Sequence, residues 1–226
     1  MNTSDSLSPT ARTTLTRLRE RAGVDRRELV DLLDSTYVCH LGVVMDGAPR
    51  VMPTAFAVDY DGPDRGGTLY LHGSVAARSL VAAVGVDVCV TVTQLDGLVL
   101  ARSAFHHSMN YRSAVIHGCA RRVDDLRERG KALDAMVDHI VPDRSSQLRS
   151  NTRKELAATV VLALPLYEAS VKSRSGPPQD DEADIEAGGV WAGVVSVQTT
   201  VGPATIADDV NDQIQAPSNV DAVLTR

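Results

Sequence analysis

The sequence predicts an α+β fold: about six antiparallel strands curled into a barrel-like sheet, with short helices between or beside them. Two observations carry this. Runs rich in β-branched and aliphatic residues recur over 36–45, 50–60, 68–71, 87–102, 111–123 and 155–172, punctuated by turn residues, with Asp46-Gly47 the strongest hairpin signal. Helical patterns with capping residues fall between or beside these runs, and 43% of the 226 residues are hydrophobic, enough for a substantial core.

Taken in order, residues 1–10 read as a disordered arm and 12–21 as a charged helix leading into a second one at 25–34. Asp25 caps that second helix, and Leu29, Val30 and Leu33 share its apolar face. The 50–60 strand contains Pro53, which implies an edge, a bulge or an interrupted pairing. Gly97 marks a bend in 87–102, and 103–110 breaks the strand pattern. Asp124 and Asp125 cap a helix running to about Ile140, with Leu126, Leu133, Met136, Val137 and Ile140 expected on its buried side. Residues 155–172 read as one long apolar strand, 173–189 as a polar acidic loop and 190–197 as a short apolar return.

Composition excludes several classes of function. A net charge of −6 with no basic stripe argues against nucleic-acid partners. Charge or glycine breaks every apolar run before membrane-spanning length, and the N-terminus lacks a secretory apolar core, so a cytoplasmic protein is expected. Cys39, Cys89 and Cys119 fit no zinc or disulfide spacing and are expected to be buried, reduced thiols; no metal site is expected.

The stretch 66–85 carries the most chemistry. Gly66-Gly67 turns into a short strand, His72-Gly73-Ser74 follows, and a helical pattern with Leu80, Val81 and Val84 on its apolar face ends at Gly85. With Ser74 as N-cap, such a turn presents free backbone N–H groups to an anion, and Arg78 adds a guanidinium. The same residues also fit a plain strand–turn–helix connection with a surface arginine. His72 reads either as a proton donor beside a ligand or as a structural histidine. His106-His107 reads as a polar loop, since adjacent histidines in extended chain point to opposite sides and do not chelate one metal easily; His40 and His117, within apolar strands, read as satisfied core histidines. Asp180-Asp181-Glu182 reads as a solvated acidic turn.

The segments CHLGVVMDGAPRVMPTAFAVDYDG, LYLHGSVAARSL, NYRSAVIHGCARRVDD, VLALPLYEASVKSRSGPPQDD and VWAGVV resemble, in order and spacing, the pyridoxamine 5′-phosphate oxidase-like superfamily of FMN-binding split β-barrels. The nitroimidazole-reductase-like flavoproteins are the most similar subgroup. The resemblance covers about residues 25–197, leaving 1–24 as an N-terminal arm and 198–226 as a C-terminal extension. It implies a homodimer with FMN in a groove between subunits, acting as an oxidoreductase that passes electrons from a reduced nicotinamide or deazaflavin donor to a small organic acceptor. The alternative is a non-catalytic flavin- or haem-binding protein of the same fold.

By position, the resemblance places Arg50, Val51, Met52, Pro53 and Thr54 along the flavin and ribityl chain. Leu71, His72 and Gly73 line the cofactor, with His72 as the candidate catalytic residue, and Arg78 and Ser79 hold the phosphate. Asn110 and Tyr111 contact the isoalloxazine edge, and Trp191 reaches the partner's flavin pocket. Ser79 stands where pyridoxamine phosphate oxidases have a lysine, Thr54 replaces another lysine, and their basic C-terminus is missing. The resemblance therefore implies flavin binding more strongly than vitamin B6 oxidation.

Overall fold

Two short connections dictate the architecture. The computed structural model describes residues 6–211 and 214–223. Its strands are β1 (Val38–Met45), β2 (Ala48–Asp59), β3 (Thr68–Ser74), β4 (Asp87–Leu100), β5 (Ser108–Cys119), β6 (Arg121–Arg122), β7 (Thr159–Pro165), β8 (Ala169–Arg174) and β9 (Gly193–Ser196). The strand order is β6-β7-β3-β2-β1-β4-β5-β8, every pairing antiparallel, with β9 added to β4. Only Ala120 separates β5 from β6, and a three-residue corner separates β7 from β8, yet the members of each pair lie near opposite ends of that order. A flat sheet cannot satisfy both connections. The sheet curls on itself and gives the expected α+β split barrel.

The nine strands exceed the six expected because long apolar stretches divide. The 155–172 run is not one strand: α4 (Arg153–Ala158), capped by Thr152, opens it, and β7 ends at Pro165, which has no N–H to donate. Between Asp46 (φ 52°) and Gly47 (φ 76°) the chain makes the tight turn that joins β1 to β2. β2 pairs with β1 along residues 48–55 and with β3 along 56–59, so one edge of its first half is open, and Pro53 sits there as expected. The bend at Gly97 is a register shift between Leu95 and Gly97.

Alternation along β3 separates two cores. Leu69 and Leu71 point into the barrel with Leu41, Phe56, Val90, Ile116 and Leu162. Tyr70 points outward, under α3 (Leu126–Ile140), with Ala57, Val161, Ala132 and Met136. Asp125 caps α3 as expected. Its buried stripe is not the expected one: Leu126 and Ile140 are 66% and 53% exposed. Small Ala132 faces the sheet and lets the helix approach closely, turning the larger Leu133, Val137 and Ile140 aside. An outer polar cluster fixes that approach. Arg121 donates to Asp64 (2.8 Å) and Glu128, and Glu128 also accepts the Tyr70 hydroxyl (3.1 Å).

The remaining helices are α1 (Arg26–Asp34), α2 (Arg78–Ala83), α5 (Glu182–Ala187) and α6 (Ser218–Val223). The α1 capping box and its buried Leu29, Leu32 and Leu33 match the sequence pattern, with Leu32 rather than Val30 completing the face. Residues 12–21 form turns with one 3₁₀ turn at Arg19–Arg21 rather than a helix, because they have no apolar stripe to bury. Of the arm expected to be disordered, residues 1–5 lie outside the described residues. The rest is tied down: Leu7 is buried, Ser8 donates its N–H to the Ala169 carbonyl, and Arg12 bridges Glu168 (2.5 Å) and Asp87 (3.2 Å).

That tether makes stability depend on pH. The Arg12 guanidinium, with the Thr10 hydroxyl, holds the Glu168 carboxyl down at about 2. A depressed folded-state value stabilises the fold above the ordinary carboxylate range and ceases to do so as pH falls through about 2. With Arg12 partly exposed, solvent screening leaves about 1 kcal/mol of this at neutral pH. Urea unfolding is expected to show Arg12→Ala less stable than wild type by about that amount at pH 7, and by less than half of it at pH 3.

Candidate cofactor sites

Two separate cavities stand out, one beside the β1–β2 hairpin and α2, the other beside β3 and α3. On the barrel side, a cavity of about 370 Å³ is lined by Met45, Asp46, Arg50, Met52, Arg78 and Ser79. The β1–β2 turn supplies Asp46, β2 supplies Arg50 and Met52, and α2 supplies Arg78 and Ser79. Gly73 lets α2 come close, since a Cβ there would lie 2.6 Å from the Leu80 Cδ1. Arg78 Nη2 stands 3.2 Å from Asp46 Oδ2, both side chains about 80% exposed, a weak pair that a stronger anion displaces. Among the described residues Arg50 has no ion-pair partner.

This groove gathers four of the expected residues, Arg50 and Met52 from β2 and Arg78 and Ser79 from α2. Val51 and Pro53 alternate to the outer face of β2, where Val51 is 67% exposed. Thr54, half-buried, donates its hydroxyl to the Ala55 carbonyl at 3.3 Å. Leu71 is a core side chain rather than a lining one. The helix begins later than the sequence suggested. β7 pairs with β3 as far as Ser74, so Ser74 ends the strand and its Oγ accepts the Ala76 N–H; Ala77 precedes α2 with no side-chain cap. The groove therefore presents two guanidinium groups and no capped helix end.

His72 faces the other way, sharing Tyr70's side of β3. It borders a cavity of about 330 Å³ between β3, α3 and the 145–151 segment. Leu133, Met136, Val137, Ile140 and Leu148 make its apolar wall; Asp134, Ser145, Arg149, Ser150 and Asn151 make a polar rim. His72 Nδ1 is buried with no hydrogen-bond partner. A buried imidazole nitrogen left unsatisfied costs about 1–3 kcal/mol and calls for an unseen partner. Of the α3 stripe expected to be buried, Met136 enters the outer core and Leu133 packs against it, while Val137 and Ile140 join them in lining this cavity and Leu126 lies exposed.

Neither cavity within one chain receives Asn110, Tyr111 or Trp191. Asn110 and Tyr111 pair with Gly97 and Leu95, at least four positions along β4 from the residues that meet β1, about 13 Å or more away. Asn110 is buried and locked, donating to the Gly176 carbonyl (3.1 Å) and accepting from Arg174. Trp191 lies over Gly193 at the same end and is 67% exposed.

Several histidine, cysteine and aspartate expectations change. His40, between the buried Cys39 and Leu41 of β1, is exposed, and His117 on β5 is half-buried. His106 Nε2 stands 3.3 Å from Asp181 Oδ2 and, like His72 Nδ1, is buried without a hydrogen bond, while His107 Nδ1 lies 2.8 Å from the Ser103 carbonyl. Asp180 is not solvated: its side chain is 1% exposed and accepts the Arg102 backbone N–H and guanidinium, each at 2.7 Å. Only Cys39 is a buried thiol, pushed up to about 12 by burial; Cys89 is intermediate and Cys119 exposed, and all three are free. No cluster of metal-ligating side chains and no helix long and apolar enough to cross a membrane occur among the described residues.

Comparison with known families adds one decisive match. The pyridoxamine 5′-phosphate oxidase profile covers residues 25–173. The chain belongs to that family. Among solved members of this fold, the flavocytochrome Anf3 from Azotobacter vinelandii is 36% identical over 96% of this chain and 98% of its own, with a TM-score of 0.86. A FAD- and haem-binding protein from Mycobacterium smegmatis is 39% identical over 90% and 97%, TM-score 0.82. A putative 5-nitroimidazole antibiotic resistance protein from Bacteroides thetaiotaomicron shares the fold at 23% identity over 67% and 85%, TM-score 0.54. No curated protein sequence matches the chain.

Proposed function

We propose that this member of the family is a flavin- and haem-carrying oxidoreductase, with the flavin in the Arg50–Arg78 groove and the haem in the His72 cavity. The observation that carries the haem half is His72 itself: a buried, unpartnered imidazole nitrogen beside an apolar cavity in a chain 36% and 39% identical to two haem-associated flavoproteins. Imidazole is a strong iron ligand, and a haem pocket needs apolar walls of the kind Leu133, Val137 and Ile140 provide. The groove suits a flavin nucleotide, because Arg50 and Arg78 with the Ser79 hydroxyl match the charge of its phosphate. This holds for the FMN that the sequence resemblance implies and for the FAD named for the mycobacterial relative.

When bound, a flavin supplies two-electron chemistry and a haem supplies one-electron chemistry. The chain's own residues bind, orient and shield. The electron donor is a reduced nicotinamide or deazaflavin and the acceptor a small organic molecule. The functional unit is a homodimer: the open edge of β2 over 48–55 and the exposed Trp191 await a second copy, whose Trp191 would complete the groove. His72 is a haem ligand in this reading, not a flavin-side proton donor.

Two titrations test it. Haemin added to wild type is expected to give a Soret band that His72→Gly loses and that free imidazole restores. Arg78→Ala is expected to weaken FMN and FAD roughly tenfold to a hundredfold while leaving riboflavin, which has no phosphate, nearly unchanged. Wild-type protein that binds no haemin, or an Arg78→Ala variant that binds flavin nucleotides at full strength, overturns the corresponding half.

A further inference from the structure

We propose that Arg149 anchors the carboxylate edge of the ligand in the His72 cavity and so sets which way round that ligand enters; the inference rests on the haem reading above. The lining divides sharply: Leu133, Val137 and Ile140 on the α3 wall, Arg149, Ser150 and Asn151 at the rim. A ligand with one apolar and one acidic edge meets complementary surfaces in only one orientation. Arg149 is the one permanent cation among the lining residues, and Asp134, also at the rim, repels an acidic edge and directs it toward Arg149.

The rim is built and not loose chain. Asp138 holds the Ser145 N–H and hydroxyl, each at 2.7 Å, at one end of the segment. At the other, Glu155 receives Arg149 Nη1 at 2.9 Å and Nη2 at 2.6 Å. The same carboxylate accepts the Thr152 N–H and hydroxyl at 2.7 and 2.9 Å, closing the α4 capping box. Glu155 is thus committed to the backbone, and it presents Arg149 at the rim with its Nε–H and part of its Nη hydrogens unspent. The Arg149 side chain is 70% exposed, which leaves it open to a second, bidentate partner.

The test compares haemin with haemin dimethyl ester, which keeps the iron and the apolar ring and lacks the charged carboxylates. Both are titrated by Soret absorbance into the full chain, wild type, Arg149→Gln and Arg149→Lys. Arg149→Gln is expected to bind haemin roughly tenfold more weakly and the ester unchanged, and Arg149→Lys to recover part of the loss. The ester also reports that the variant pocket is folded. Unchanged haemin affinity in Arg149→Gln, or equal weakening of haemin and ester, overturns the role of Arg149 while leaving the haem reading standing. A wild-type chain that binds neither compound removes the haem reading and this inference together.

Discussion

The period-two alternation of β3 is the constraint on which the His72 site depends. Strands on either side hold β3, β2 at Phe56–Asp59 and β7 along its whole length, so its register cannot slip. With register fixed, Leu69 and Leu71 must enter the barrel and Tyr70 and His72 must leave it. Gly73, next in sequence, brings α2 and its arginine against the barrel side.

Helix α3 shows how packing can create a site instead of filling one. A helix that seals a sheet ordinarily presses its largest apolar side chains against it. Here Ala132 and Met136 make that contact, and the Arg121–Asp64–Glu128–Tyr70 cluster sets the height at which the helix rides. Leu133, which also packs against the outer core, lines the cavity with Val137 and Ile140 beside an unsatisfied imidazole. Leaving apolar walls uncovered forfeits about 25 cal/mol for each Å² that a ligand would bury. The arrangement is one whose stability a bound apolar group would raise.

Much of this was legible in the sequence because it is local chemistry. The Asp46-Gly47 hairpin, the Asp25 and Asp125 caps, Pro53 at an open edge and the Gly97 bulge each follow from what one or two residues can do. Arg50, Met52, Arg78 and Ser79 do share one groove. What did not show was long-range. Nothing local says that β7 extends the pairing of β3 through Ser74, which delays α2 and removes its side-chain cap. Nor does local pattern say which side of α3 meets the sheet, since Leu126, Leu133, Met136, Val137 and Ile140 form a good stripe in isolation. The placement of His72 beside Tyr70 was readable from the alternation alone, and would have separated it from the Arg78 groove. The buried Asp180 and the tethered Ser8 depend on partners 78 and 161 residues away.

The central claim is that one chain carries two different redox cofactors, a flavin in the Arg50–Arg78 groove and a haem in the His72 cavity. The most direct test is to count them, by mass spectrometry of released flavin and by a haemochromogen assay, in protein purified from cells supplied with riboflavin and a haem precursor and then topped up with haemin. The account predicts one flavin nucleotide and one haem per chain. A flavin-loaded protein that takes up no haem under these conditions would contradict it.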